Sequence, residues 1–170
     1  APWDRPITAT LSANFFVAPG EPLFDFGEGI LDDYNFNVRC FFQSGKRYTP
    51  AVFTGSYEAD GRPQYETVRG ERYTMIADNW FYIDMNFEKY VKIGSFRFSV
   101  FLEVNNILDT KNSAIINPAT GKAYEAGDPT PGTWNDPLYP DLQAPLNPYP
   151  FNPARYLTRR NIKLGVSFKF

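Results

Sequence analysis

Apolar and polar residues alternate in five separate runs along this chain. The last run is the clearest. In "RRNIKLGVSFKF", Ile162, Leu164, Val166, Phe168 and Phe170 share one parity, and Asn161, Lys163, Gly165, Ser167 and Lys169 share the other. Successive side chains of a β-strand point to opposite faces, so a period of two predicts a strand with one apolar and one polar face. The first run sets Ile7, Ala9, Leu11, Ala13, Phe15 and Val17 against Thr8, Thr10, Ser12 and Asn14. The second sets Tyr34, Phe36, Val38, Cys40 and Phe42 against Asn35, Asn37, Arg39, Phe41 and Gln43. The third sets Phe81, Ile83, Met85 and Phe87 against Tyr82, Asp84, Asn86 and Glu88. The fourth sets Phe96, Phe98, Val100, Leu102 and Val104 against Arg97, Ser99, Phe101, Glu103 and Asn105. Strands are therefore expected near 7–17, 34–43, 80–91, 95–107 and 160–170. No segment shows a 3.6-residue stripe, so no helix is expected.

The connections differ in length. "KIGS" gives the third and fourth runs a tight turn, with Gly94 supplying the permissive backbone. Long polar loops are expected over 44–79 and 109–159, and "APGEPLFDFGEGILDD" joins the first two runs. Such loops are unusual in a compact soluble domain. They are ordinary in outer-membrane barrels, which have short periplasmic turns and long extracellular loops. The last strand also has about the length that a tilted strand needs to cross a bilayer. The expected fold is all-β: a transmembrane antiparallel β-barrel segment of about five strands, not closed alone, with two long extracellular loops. A self-contained eight-stranded barrel and a soluble sandwich show the same alternation and stay open as alternatives.

Pairing follows from the pattern. Centring the hairpin on Ile93 and Gly94 sets Phe87 opposite Val100, Met85 opposite Leu102, Ile83 opposite Val104 and Asp84 opposite Glu103. For the last two strands, setting Phe98 opposite Phe168 also matches Val100 with Val166 and Leu102 with Leu164. The same register brings Glu103 to Lys163 and Phe101 to Gly165, where a ring can cover a bare glycine. With "KIGS" in the periplasm, the last strand runs inward and Phe170 reaches the inner interface, where an aromatic is favoured. The first strand then starts outside. Five strands with ends on opposite sides cannot close, so the first and last are expected to pair with strands outside this sequence.

Composition narrows the alternatives. No apolar run approaches the roughly 20 residues of a transmembrane helix, and mean hydropathy is −0.40. Both exclude a helical membrane protein but leave a barrel, in which half of each strand is polar. The 16 Phe and 11 Tyr suit strands and interfacial girdles. A net charge of −2 offers no basic surplus for a nucleic-acid partner. One cysteine allows no internal disulfide, and the absence of histidine removes the usual catalytic triads and zinc sites. The opening "APWDRPITAT" has neither the basic start nor the apolar core of an export signal. Any such signal is expected to have been removed or to lie outside this stretch.

Four stretches carry a family resemblance: "WDRPITATLSANFFV", "FQSGKRYTPA", "FSVFLEVNNILDTKN" and "RRNIKLGVSFKF". In these the chain resembles the C-terminal part of large TonB-dependent receptors, in particular the Oar-like group with an N-terminal carboxypeptidase-regulatory-like domain. One departure is that Ile7 follows Pro6 where the family often has a histidine. The resemblance implies a bacterial outer-membrane barrel of about 22 strands around a plug, energised through TonB. Substrates of such receptors include iron-siderophores, cobalamin, glycans and peptides. The chain would supply closing strands and outer loops of this non-enzymatic transporter, without a cofactor. Its partners would be the rest of the barrel and the plug, outer-membrane lipid, the barrel assembly machinery and, indirectly, TonB. The resemblance makes Ile162, Leu164, Val166, Phe168 and Phe170 a terminal strand and assembly signal. A structural role for a receptor-like barrel in a larger envelope complex is the competing function.

Candidate sites fall into two sets. Arg39, Asp84, Arg97, Glu103 and Lys163 share polar strand faces and would form a charge ladder toward the lumen. The carboxylate pair Asp84 and Glu103 also has the chemistry for acid–base work or a cation. Asp25, Glu28, Asp32 and Asp33 are either a solvated acidic turn or a calcium site, although their spacing fits no EF-hand. Cys40 falls among the lipid-facing positions as a small hydrophobe. Aromatics concentrate in the long loops: Tyr48, Tyr57, Tyr65, Tyr73 and Trp80 in or beside the first, Trp134, Tyr139, Tyr149 and Tyr156 in the second. Tyr65, Tyr73, Trp134 and Tyr139 are the candidate ligand or partner contacts, since exposed rings can stack on sugars. Packing of the loops on themselves, or a place in the interfacial girdle, is the alternative for these rings. "NPATGKAYEAGDPTPGTWNDP" has so much Pro and Gly that its fold must come from contacts rather than propensity.

Overall fold

The structure, a computed structural model, describes residues 4–21, 32–59, 61–125, 127–129 and 155–169. These residues form β1 (Thr8–Val17), β2 (Tyr34–Gln43), β3 (Arg47–Tyr48), β4 (Ala51–Tyr57), β5 (Pro63–Thr67), β6 (Met75–Ile76), β7 (Trp80–Ile93), β8 (Phe96–Asn105) and β9 (Asn161–Lys169). The fold is all-β with antiparallel pairing, and no α-helix occurs among the described residues. The chain divides into two compact units. One comprises Ala1–Ile7, Gln43–Trp80 and Lys111–Leu157, and the other Thr8–Phe42, Phe81–Thr110 and Thr158–Phe170.

The second unit is a single sheet in the order β1-β2-β7-β8-β9. Its strands are the five alternating runs. β8 and β9 pair in the expected register, with Phe98 opposite Phe168, Leu102 opposite Leu164, Glu103 opposite Lys163 and Phe101 opposite Gly165. The β7–β8 register differs from expectation by two residues. Phe87 meets Leu102, Met85 meets Val104, and Glu103 meets Asn86 rather than Asp84. The cause is the turn, which consists of Gly94 and Ser95 between the paired Ile93 and Phe96. Gly94 has φ +61°, the conformation that the first central position of a type II′ hairpin requires. A two-residue shift keeps every side chain on its face, so alternation alone cannot detect it.

The apolar face of this sheet is bridged by rings. Phe36 lies 6.2 Å from Phe15 and 6.5 Å from Phe87 between ring centroids. Yet much of this face is open. Leu11 is 71% exposed, Leu164 74% and Val166 68%, while Val104 and Val17 are buried. β1 and β9 stand at the two edges of the sheet.

In the first unit, the expected long polar loop 44–79 contains two small sheets. β3 pairs with β6, and β4 pairs with β5. Its core is Tyr48, Ala51, Ala77, Ala123 and Tyr124. The two long connections join in it: the Ala51 N–H donates to the Pro118 carbonyl (3.0 Å) and the Asp78 N–H to the Gly121 carbonyl (3.2 Å). Asn117, 1% exposed, organises the second connection. Its side-chain oxygen accepts from the Ala119 N–H (2.9 Å), and its carbonyl accepts from the Gly121 N–H (2.8 Å). Gly121 completes the turn at φ +73°, directly against the Tyr48 ring. The sequence thus builds this segment from contacts, as its Pro and Gly content requires.

Candidate functional site

The polar face of the five-stranded sheet carries the charged residues singled out by pattern. Asp84 and Glu103 do not face each other. Asp84 accepts from Arg39 Nη2 at 2.6 Å, and Glu103 accepts from Lys163 Nζ at 3.2 Å. Arg97 turns to Asp33 at 3.0 Å and stacks over the Tyr90 ring at 4.5 Å. Phe41 and Tyr82, also on polar positions, stack at 4.8 Å. Asn37, Arg39, Asp84, Asn86, Glu103 and Asn105 line a shallow recess of about 200 Å³. Each carboxylate of the expected ladder therefore has a cation as its partner, the arrangement of a charge-balanced face rather than of a coupled acid pair.

Asp84 also accepts from the Asn106 N–H (3.0 Å), which ties it to the end of β8. Asn106, 4% exposed, is a hub there. Its amide donates to the Thr110 and Thr158 carbonyls, and its oxygen accepts from the Thr110 N–H. Three residues on, Asp109 accepts from Arg159 Nε (2.9 Å), Arg159 Nη2 (2.5 Å) and the Arg160 N–H (3.0 Å). The Arg159 fork, aided by the Arg160 N–H, holds the Asp109 carboxyl far below the usual carboxylate range. Sequence reasoning missed this clamp. The available signal was the pair Asn106 and Asp109, residue types that tolerate positive φ; they adopt +53° and +55°.

On the apolar face, Ile162, Leu164, Val166 and Phe168 are all exposed. Phe170 lies outside the described residues. Cys40 is half-buried on β2. One charge among the described strand residues occupies an apolar position: Lys89, opposite Val100. Its ammonium donates to the Asp32 carbonyl and to Asp32 Oδ1 (3.1 Å). Asp32 and Asp33 thus engage two different cations, and Asp25 and Glu28 lie outside the described residues.

The loop aromatics have distinct places. Tyr65 joins a cluster, its ring 6.0 Å from Phe53 and 6.5 Å from Tyr124, and Tyr57 lies 5.3 Å from Phe53. Tyr48 is buried; burial, and secondarily Asp78, raise its phenol pKa. Trp80 donates its indole N–H to the Ser113 carbonyl (2.8 Å), while Arg5 stacks on its ring at 3.7 Å, where burial lowers the guanidinium pKa. Tyr156 is flanked by Lys111 and Arg155. Tyr73 is exposed at φ +55°. Trp134, Tyr139 and Tyr149 lie outside the described residues. Most described loop rings therefore pack the first unit, and of the two expected contact residues that are described, Tyr65 and Tyr73, Tyr73 stays open.

Comparisons of the chain with protein-family models, with curated proteins and with solved structures found no match.

Proposed function

We propose that this chain supplies closing strands and outer loops of a TonB-dependent outer-membrane receptor that takes up a scarce nutrient. The apolar sheet face meets lipid, the polar face meets the lumen, the Gly94–Ser95 turn lies in the periplasm, and the long connections lie outside the cell. β1 and β9 pair with further strands of the same receptor or of a partner chain.

The observation that carries the reading is the open apolar face. Burying a Leu, Val, Ile or Phe side chain is worth about 1.5–3 kcal/mol. Four such residues on β9 alone amount to a stake comparable with the stability of a whole domain, about 5–15 kcal/mol. A soluble sandwich covers such a face; among the described residues most apolar side chains of β1 and β9 stay uncovered. Lipid covers them without a second layer. Lys89 agrees with this placement, since it lies near the hairpin end and is neutralised by Asp32. Charge at the bilayer midplane costs about 2–4 kcal/mol and far less near the interface. The four family-like stretches support the receptor assignment within the barrel class.

Cysteine labelling tests the reading. In a Cys40→Ser background, Leu164→Cys and Val166→Cys should react with a lipid-soluble maleimide and resist a charged one. Lys163→Cys should show the reverse. Equal reactivity of positions 163 and 164 toward the charged reagent in membranes would refute it.

A further inference from the structure

The first unit contains a recess of about 410 Å³ whose lining includes Thr49, Thr67, Val68, Arg69, Arg72 and Tyr73. Hydrogen bonds tie its walls together. The Val68 N–H donates to the Pro50 carbonyl (3.0 Å), the Glu71 N–H to the Val68 carbonyl (3.3 Å), and the Tyr73 N–H to Thr49 Oγ1 (3.1 Å). Tyr73 holds φ +55° there, an uncommon conformation for a bulky residue and one that persists only where its surroundings enforce it.

Two arginines, Arg69 and Arg72, line this one small volume. Arg39, Arg47, Arg97 and Arg159 each pair with a carboxylate. Arg69 and Arg72 have no carboxylate partner among the described residues. Glu71, between them in sequence, does not line the recess. The site therefore concentrates positive charge that its own walls leave unneutralised.

We propose that this recess binds a phosphomonoester carried on a sugar. A phosphomonoester carries about −1.5 to −2 charges at neutral pH and three acceptor oxygens. That matches two guanidinium forks, each able to donate in parallel to a pair of oxygens. A carboxylate would satisfy only one of them. The hydroxyls of Thr49 and Thr67 suit the hydroxyls of a sugar, and the Tyr73 ring and Val68 offer it an apolar surface. The volume lies within the range of small-ligand sites, about 300–1,000 Å³. The ligand is either a free sugar phosphate or the phosphorylated head of a glycolipid, which share this chemistry. The proposal does not depend on the membrane reading.

The test uses the full chain folded in detergent micelles or vesicles. Glucose 6-phosphate and glucose are titrated against tyrosine fluorescence. Flotation then measures binding to vesicles of phosphatidylcholine with a monophosphorylated glycolipid, or with the same lipid dephosphorylated. Glucose 6-phosphate should bind at least tenfold more tightly than glucose. The double variant Arg69→Gln/Arg72→Gln should lose at least tenfold in affinity while its thermal unfolding is unchanged. Arg72→Lys, which keeps the charge but not the fork, should lose an intermediate amount. Binding to the vesicles alone, lost on dephosphorylation and in the double variant, supports the proposal and assigns the ligand to a glycolipid. Binding of the soluble probe alone assigns it to a free sugar phosphate. Binding of neither, glucose as tight as glucose 6-phosphate, or a double variant that binds like the parent would overturn the proposal.

Discussion

Phe101 on β8 lies over Gly165 on β9, so closely that a methyl group built on Gly165 would stand 2.3 Å from Phe101 Cζ. The ring fills the space that the glycine leaves open. Gly165→Ala should therefore destabilise the sheet by overpacking, by about 1–3 kcal/mol. Adding Phe101→Leu should recover part of that loss. Urea unfolding of the two singles and the double gives the coupling; additive effects would show that the two positions act independently.

Lys89 depends on Asp32 for its place on the apolar face. Removing the carboxylate leaves the ammonium with the main-chain carbonyl alone and no opposite charge. Asp32→Asn should lower stability by roughly 1.5–3 kcal/mol, the scale of a hydrogen bond to a charged group. Lys89→Met in the same chain should restore most of it, since the charge then disappears from that face. Midpoints of thermal unfolding in micelles would rank the three proteins.

Asp109 makes stability depend on acid. Its carboxyl titrates lower in the folded chain than in the unfolded chain because Arg159 and the Arg160 N–H hold the charged form. The unfolded chain therefore binds the proton first as pH falls. The clamp contributes fully above the unfolded value, about 3.9, and its contribution is lost below that as pH falls toward the folded value. Asp109→Asn should be less stable than the parent at pH 7, and the difference should shrink below about pH 4. Unfolding measured at a series of pH values checks both the sign and the window.

Gly121 meets two constraints at once. Its φ of +73° disfavours any side chain, and a Cβ there would come within 2.6 Å of the Tyr48 hydroxyl oxygen. Gly121→Ala should therefore destabilise by more than about 1 kcal/mol, whereas the same change at an unstrained glycine stabilises. The loss should be local to the first unit. Hydrogen exchange should rise at the Ala51 and Asp78 amides while the β8–β9 amides keep their protection.

The five strands of the second unit could be read from the chain because each is long and its alternation is continuous. The β8–β9 register followed because the polar face constrains it twice, with Glu103 finding Lys163 and Phe101 finding Gly165, while the apolar face accepts the same match through Phe98 and Phe168. The β7–β8 register escaped because a shift of two leaves alternation unchanged, and only the turn geometry decides it. β3 and β6 are two residues each, too short for any period. β4 and β5 carry Gly55 and Pro63, which argue against strands locally; their pairing is a product of contacts. Among site residues, Tyr73 was legible as an exposed loop aromatic. Arg69 and Arg72 were not, because what sets them apart is the carboxylate they lack, and a partner that is missing leaves no mark in a sequence.

The first unit is assembled from two connections that the β7–β8 hairpin separates in the chain, joined where Ala51 meets Pro118 and Asp78 meets Gly121. These two segments therefore close as one module. A graft that altered the backbone course of residues 44–79 alone would strand the Pro118 and Gly121 carbonyls and remove Tyr65 from Tyr124. Diversification of this surface has to proceed by paired changes in both connections, or by changes confined to rims such as the turn holding Arg69 and Arg72, which neither connection needs in order to close.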